Sequence, residues 1–157
     1  MIKAILLLTC VAAFGCSTTR APISRFQTAR VTASTPEAIS LDVEFKLRND
    51  NDEPLKLITY TYTVSIDGDA VYHGLAEAEQ TIPSGSTVTS TIPAVIPRTY
   101  LQGRELIVWH LSGSLDYVAH GALAQTLVDA QLWQPSTPIA ASDSMDVPPI
   151  EWILGDL

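Results

Sequence analysis

Apolar side chains recur at every second residue through the middle of the chain. Leu41, Val43, Phe45 and Leu47 alternate with Asp42, Glu44, Lys46 and Arg48, and Ile58, Tyr60, Tyr62, Val64 and Ile66 alternate with Thr59, Thr61, Thr63 and Ser65. A period of two sends successive side chains to opposite faces of an extended backbone, so each segment is predicted to be a half-buried antiparallel strand rather than an amphipathic helix. Asp67-Gly68 follows the second segment directly. Glycine accepts positive φ at no steric cost, which makes this pair a two-residue hairpin turn into Ala70-Val71-Tyr72. Asn49-Asp50-Asn51-Asp52-Glu53-Pro54 joins the first two strands with side chains that bond their own backbone in turns.

The same punctuation continues downstream. Pro83-Ser84-Gly85 marks a turn before residues 87–92, where Val88 and Ile92 face one way and Thr87, Thr89 and Thr91 the other. Ile107, Trp109, Leu111, Leu115 and Tyr117 share one parity along a further strand, with Gly113 as a bulge or close-packing point. Residues 27–35 and 124–133 are expected as the first and last strands, and residues 99–104 as a short helix. About seven short strands separated by turn signals predict an all-β fold, an antiparallel β-sandwich rather than a parallel α/β fold.

A separate signal lies at the N-terminus. Met1 to Lys3 is followed by an uncharged apolar run of eleven residues, 4–14. That is shorter than the about 20 residues needed to span a bilayer, and it has the length of the apolar core of a secretory signal. Gly15 then stands immediately before Cys16. The segment resembles a bacterial lipoprotein signal, although Ala13 and Phe14 stand where that family prefers Leu and a small residue. The resemblance implies a cleaved signal peptide, residues 1–15, and a mature chain beginning at a Cys16 that carries diacylglycerol and a further acyl chain such as palmitate. Ser17, in place of Asp, implies sorting to the outer membrane, with the protein anchored by lipid and facing the periplasm. Residues 16–26 are then a lipidated tether, 27–133 the folded domain, 134–149 a proline- and serine-rich linker, and 150–157 an apolar C-terminal segment containing Trp152, Ile153 and Leu154.

Charge and cysteine content narrow the function classes. Removal of residues 1–15 leaves 142 residues, enough for one domain with one core. It also leaves 8 basic and 17 acidic side chains, a net charge of −9. No basic run remains to neutralise phosphates, so a nucleic-acid partner is not expected. Cys10 leaves with the signal and Cys16 is consumed by acylation, so the fold has no disulfide, thiolate metal site or cysteine nucleophile.

Catalytic chemistry finds no foothold in the sequence. His73, His110 and His120 each lack a second ligand at zinc-site spacing, and the acidic turn at residues 50–53 lacks the glycine and distal Glu of a helix-loop-helix calcium site. His110, Ser112, Ser114 and Asp116 have the parity opposite to Trp109, Leu111, Leu115 and Tyr117, so they are read as the polar face of one strand. No Gly-x-Ser-x-Gly elbow accompanies them. No catalytic residue, metal or cofactor is therefore expected. Thr59, Thr61 and Thr63 form one hydroxyl row and Thr87, Thr89 and Thr91 a second. On a shared sheet face the two would make a hydrogen-bonding plane for glycans or partly unfolded chains.

Several of these pieces occur in a fixed order. They are the strand ending in Asn49-Asp50-Asn51, the strand over residues 57–66, the Asp67-Gly68 hairpin, His73-Gly74, and Ile82-Pro83-Ser84-Gly85. Residues 38–97 thus resemble the water-stress and hypersensitive-response (WHy) domain of the group-two late embryogenesis abundant proteins, with Asp50 where that family commonly has Pro. Residues 111–117 are similar to its penultimate strand. The resemblance implies an immunoglobulin- or fibronectin-like sandwich with a non-catalytic role under dehydration, cold or other stress. The expectation is a membrane-anchored lipoprotein that binds or shields envelope proteins as clients. The alternative is a structural accessory that docks into an envelope complex through Trp152, Ile153 and Leu154.

Overall fold

The two alternating segments become strands of different sheets, β2 (Ala38–Arg48) and β3 (Leu55–Ile66), in a computed structural model that describes residues 19–120, 122–130 and 132–150. One sheet has the order β1-β2-β6, with β1 at Ile23–Ser34 and β6 at Thr87–Pro97. The other has the order β4-β3-β7-β8, with β4 at Asp69–Glu77, β7 at Leu106–Tyr117 and β8 at Ser136–Asp146. The short β5 (Thr81–Ile82) also pairs with β3. Every one of these pairings is antiparallel. The fold is an all-β sandwich as expected, with eight strands among the described residues.

Alternation decides which side of each strand is buried. Leu41, Val43, Phe45 and Leu47 of β2 point inward toward Tyr60, Tyr62 and Val64 of β3 and Trp109 and Leu111 of β7, in one continuous core. Phe26 of β1 stands edge-on to Phe45 and to Trp109, each with ring centres 6.1 Å apart, an arrangement aromatic quadrupoles favour. The parity of β3 slips at a register shift between Leu57 and Tyr60. Leu57, rather than Ile58, is therefore the buried residue at the start of that strand. At the other end of β3, Asp67 (φ 53°) and Gly68 (φ 91°) make the expected hairpin turn with both central residues at positive φ.

Several sequence boundaries are corrected. The first strand begins at Ile23, so residues 23–26 belong to the sandwich and not to a tether. Residues 124–133 do not form the last strand; helix α1 (Ala122–Asp129) lies there instead. The last strand is β8, inside the segment read as a linker at 134–149. Its inward residues are Thr137, Ile139 and Ala141, too small and too polar to stand out as an apolar alternation. Pro138 is tolerated because β8 is an edge strand, where a missing backbone N–H breaks no ladder. The helix expected over 99–104 is a single 3-10 turn, Arg98–Tyr100.

The strands run between two ends of the sandwich. One end collects residues 19–22, 49–54, 78–86, 118–120, 122–130 and 132–135. The other collects residues 35–37, 67–68, 98–105 and 147–150. Among the described residues no helix is long and apolar enough to cross a membrane.

Candidate functional site

Asn49 is fully buried at the first of these ends and organises the turns around it. Its Nδ2 donates to the carbonyls of Glu53 (2.8 Å), Ile82 (3.1 Å) and Pro83 (3.3 Å), while Oδ1 accepts from the backbone N–H and Nδ2 of Asn51 at 3.0 and 2.7 Å. A buried carboxamide whose donors and acceptor are all engaged costs little desolvation and fixes the loops that satisfy it. Asn51 extends the network outward. Its Oδ1 accepts from the Arg20 N–H at 2.7 Å and its Nδ2 donates to the Arg20 carbonyl at 2.9 Å. Thr19 Oγ1 in turn accepts from the His120 N–H at 2.9 Å and donates to the His120 carbonyl at 3.2 Å. Asn49 and Asn51 therefore act structurally, and Asp50 between them makes an exposed ion pair with Arg48 at 2.8 Å. Asp67, at the opposite end, pairs with Arg104 beside Gly68.

The outer face of the larger sheet carries a row of small side chains. Thr61 pairs with Ser114 and Thr63 with Ser112, and beyond them Ser114 pairs with Pro138 and Ser112 with Ala140. Thr59 continues the row toward the Asn49 end. Small hydroxyl-bearing and apolar side chains thus stand side by side over three strands, around a shallow depression of about 300 Å³ bounded by Thr61, Thr63, His73, Ser112 and Ser114. His73 Nδ1 lies 2.9 Å from Thr63 Oγ1. The second threonine row does not join this plane. Thr87, Thr89 and Thr91 lie on β6 in the other sheet, opposite Arg48, Lys46 and Glu44 of β2. The partners of the first row are Ser112 and Ser114, which sequence reading placed on a polar strand face without bringing them to Thr61 and Thr63. Strand register is the missing information, and periodicity does not carry it.

The titratable groups with displaced pKa values are set by burial. Burial raises the phenol of Tyr60, partly offset by its bond to Ser90 Oγ, and it raises Tyr117 and Asp116 as well. Tyr62 is pushed up to about 12 by burial, with the neighbouring Tyr72 adding to the rise. Tyr62 Oη donates to the Pro93 carbonyl, and Tyr60 Oη to Ser90 Oγ at 2.8 Å, so both phenols bridge the two sheets. Among the described residues no group of three or more His, Cys, Asp and Glu is placed to hold a metal ion.

At the far end, Arg98 ties the β1-β2 hairpin to the chain after β8. It donates to the carbonyl of Thr35 at 3.0 Å, to Ser34 Oγ at 2.5 Å and to the carbonyl of Pro148 at 2.9 Å. Ser34 Oγ donates to the Pro149 carbonyl at 2.6 Å. An open cleft of about 640 Å³ lies alongside, lined by Glu37, Arg98, Leu101, Arg104, Val147 and Ile150. Cys16, Trp152, Ile153 and Leu154 lie outside the described residues.

The late embryogenesis abundant protein family model matches residues 44–131, more than half of the chain. The chain belongs to that family. The match spans Asn49 with its direct partners, the hairpin and the hydroxyl face of β3 and β7, and it stops short of β8. Solved structures agree on the fold. A protein of Arabidopsis thaliana solved in solution superposes with a TM-score of 0.66 at 11% identity, covering 90% of this chain and 91% of its own. A solution structure of a candidate late embryogenesis abundant protein gives 0.62 at 9% identity, over 82% of this chain and 72% of the other. A crystal structure of a protein from Archaeoglobus fulgidus gives 0.53 at 12%, over 80% and 100%. No curated protein matches the sequence. Late embryogenesis abundant membership points to a stress-related role, and the family is generally non-enzymatic.

Proposed function

We propose that this late embryogenesis abundant domain is a non-catalytic shield, held at the outer membrane by acyl chains on Cys16 and facing the periplasm, that keeps envelope proteins from associating as they lose hydration. The observation that carries the reading is the hydroxyl plane of Thr61, Thr63, Ser112 and Ser114. Side chains of this kind offer donors and acceptors to exposed backbone of a partly unfolded client without the apolar contact that drives aggregation, or the charge that would be screened as salt concentrates on drying. A labile enzyme is dried or heated with the protein and its recovered activity measured. Protection should exceed that of an inert protein of equal concentration and charge, and should fall in a Thr61→Lys/Ser112→Lys variant. Equal protection by the inert protein defeats the reading.

A second reading has its own support. Ile150 emerges at the end of the sandwich opposite Thr19, so the segment bearing Trp152, Ile153 and Leu154 starts from the end remote from the proposed anchor. From there it could dock into an envelope complex. Its side chains, each worth about 1.5 to 3 kcal/mol when fully buried, are enough to drive association. Deleting residues 151–157 should then abolish partner capture from native membranes while leaving the melting temperature unchanged; a lowered melting temperature with capture intact would instead assign the segment to the domain's own packing.

A further inference from the structure

Leu132 and Trp133 are neighbours in sequence and are 75% and 46% exposed, whereas the other tryptophan among the described residues, Trp109, is almost fully enclosed. They follow α1 in the connection between β7 and β8. That connection is held to the end of the sandwich by Tyr117 N–H donating to the Pro135 carbonyl at 3.0 Å and Gln134 Nε2 donating to the Tyr117 carbonyl at 2.9 Å. Thr137 Oγ1 then donates to the Pro22 carbonyl at 3.1 Å, which seats the start of β8 beside the start of β1.

This is the end from which the chain runs back to Cys16. Thr19 and Arg20 are pinned there by His120 and Asn51, and only Ser17 and Thr18 intervene before Cys16. Three extended residues reach roughly 10 Å. An acylated Cys16 therefore brings this end, and no other, to the level of the lipid headgroups. The opposite end lies about 35 Å away along strands of 11 or 12 residues. An exposed Trp beside an exposed Leu is the pairing that partitions into a bilayer interface, where the indole keeps its N–H in the headgroup layer and buries its ring. Asp50, Asp52 and Glu53 stand at the same end, which favours zwitterionic over anionic lipid.

We propose that Leu132 and Trp133 form a lipid-contacting foot that stands the sandwich end-on on a zwitterionic bilayer. The foot rests on the reading that Cys16 is acylated, and the test keeps the two apart. Full-length protein extracted from membranes, carrying Trp152→Phe, is reconstituted into vesicles of phosphatidylethanolamine and phosphatidylcholine with brominated acyl chains. Mass spectrometry of the same sample reads Cys16. Trp133 emission should shift to the blue and be quenched by the bromines. A further Trp133→Phe change should remove the quenched component, leaving the emission of the buried Trp109. Quenching of Trp133 with an unmodified Cys16 supports the foot and overturns the acylation. Acylated protein whose Trp133 stays open to a water-borne quencher overturns the foot alone. A blue-shifted but unquenched Trp133 overturns it in favour of a protein contact, and unmodified protein that leaves the vesicles overturns both.

Discussion

The ring of Tyr62 occupies the space that a side chain at Gly74 would need, and on the other flank Gly113 lies so close to β3 that a Cβ would strike the Thr61 carbonyl and the Tyr62 Cα. Tyr62 pairs with both glycines in the sheet, Gly74 on β4 and Gly113 on β7. The absence of side chains on either side lets the phenol lean across β4 and reach the Pro93 carbonyl of the opposite sheet. Gly113 is thus the close-packing point its place in a strand suggested, and Gly74 is a second.

Two substitutions follow from the different obstacles. Gly113→Ala meets backbone, which cannot move without breaking the ladder, and should cost about 3 kcal/mol; Gly74→Ala meets a ring and should cost about 1 to 2 kcal/mol. In a Tyr62→Leu background the Gly74→Ala penalty should shrink and the Gly113→Ala penalty persist, because only the first depends on the ring. Urea unfolding of the two glycine variants, of Tyr62→Leu and of the two double variants reads both, and equal coupling to Tyr62 at the two glycines would contradict the packing.

Asn49 makes a sharper prediction about sign. Asn49→Ala leaves the carbonyls of Glu53, Ile82 and Pro83 without their shared donor, a loss of about 2 to 4 kcal/mol. Asn49→Asp keeps the shape but aims a carboxylate at those carbonyls in a fully buried site, and should be worse than Ala at neutral pH. Protonating the Asp restores a donor, so the gap between the two variants should narrow in acid. Melting temperatures measured at neutral and acidic pH decide it.

Arg98 should behave as a fork rather than as a charge. Its bonds to Thr35, Ser34 and Pro148 come from two different nitrogens of a planar group, a geometry Lys cannot reproduce. Arg98→Lys should therefore lose nearly as much stability as Arg98→Ala, about 1 to 3 kcal/mol. Faster hydrogen exchange at the Val147 amide, which donates to the Glu105 carbonyl, would report the loosened exit of β8.

Much of the fold was legible in alternation because the strands it marks have large inward residues. Leu41 to Leu47 and Ile107 to Tyr117 could be assigned a buried face from sequence, and the Asp67-Gly68 turn needed only local backbone chemistry. Strand β8 was not legible, because Thr137, Ile139 and Ala141 carry little apolar bulk and the prolines around them suggest a linker. The helix at Ala122–Asp129 lies within a segment whose apolar content fits strand or helix over so short a length. For the surface, the Thr59, Thr61 and Thr63 row was visible, but its union with Ser112 and Ser114 and its separation from Thr87, Thr89 and Thr91 depend on which strands become neighbours. Topology settles that, and a single strand's pattern does not encode it.

Alkaline pH should unfold the protein through its buried phenols. Tyr62 has its pKa raised from 10.0 to about 12, chiefly by burial. Below pH 10 the folded and unfolded states both hold the proton. As pH rises from 10 through 12 the unfolded chain releases a proton that the folded state retains, so the unfolded state binds fewer protons and stability falls with pH. Burial raises Tyr60 and Tyr117 in the same direction, so their contributions add. Tyr62→Phe should lower stability at neutral pH, since the bond to the Pro93 carbonyl is lost, yet flatten the decline above pH 10. Denaturant midpoints measured across that range test this directly: a Tyr62→Phe curve parallel to that of the parent protein would mean that the Tyr62 phenol ionises as freely in the sandwich as in the unfolded chain.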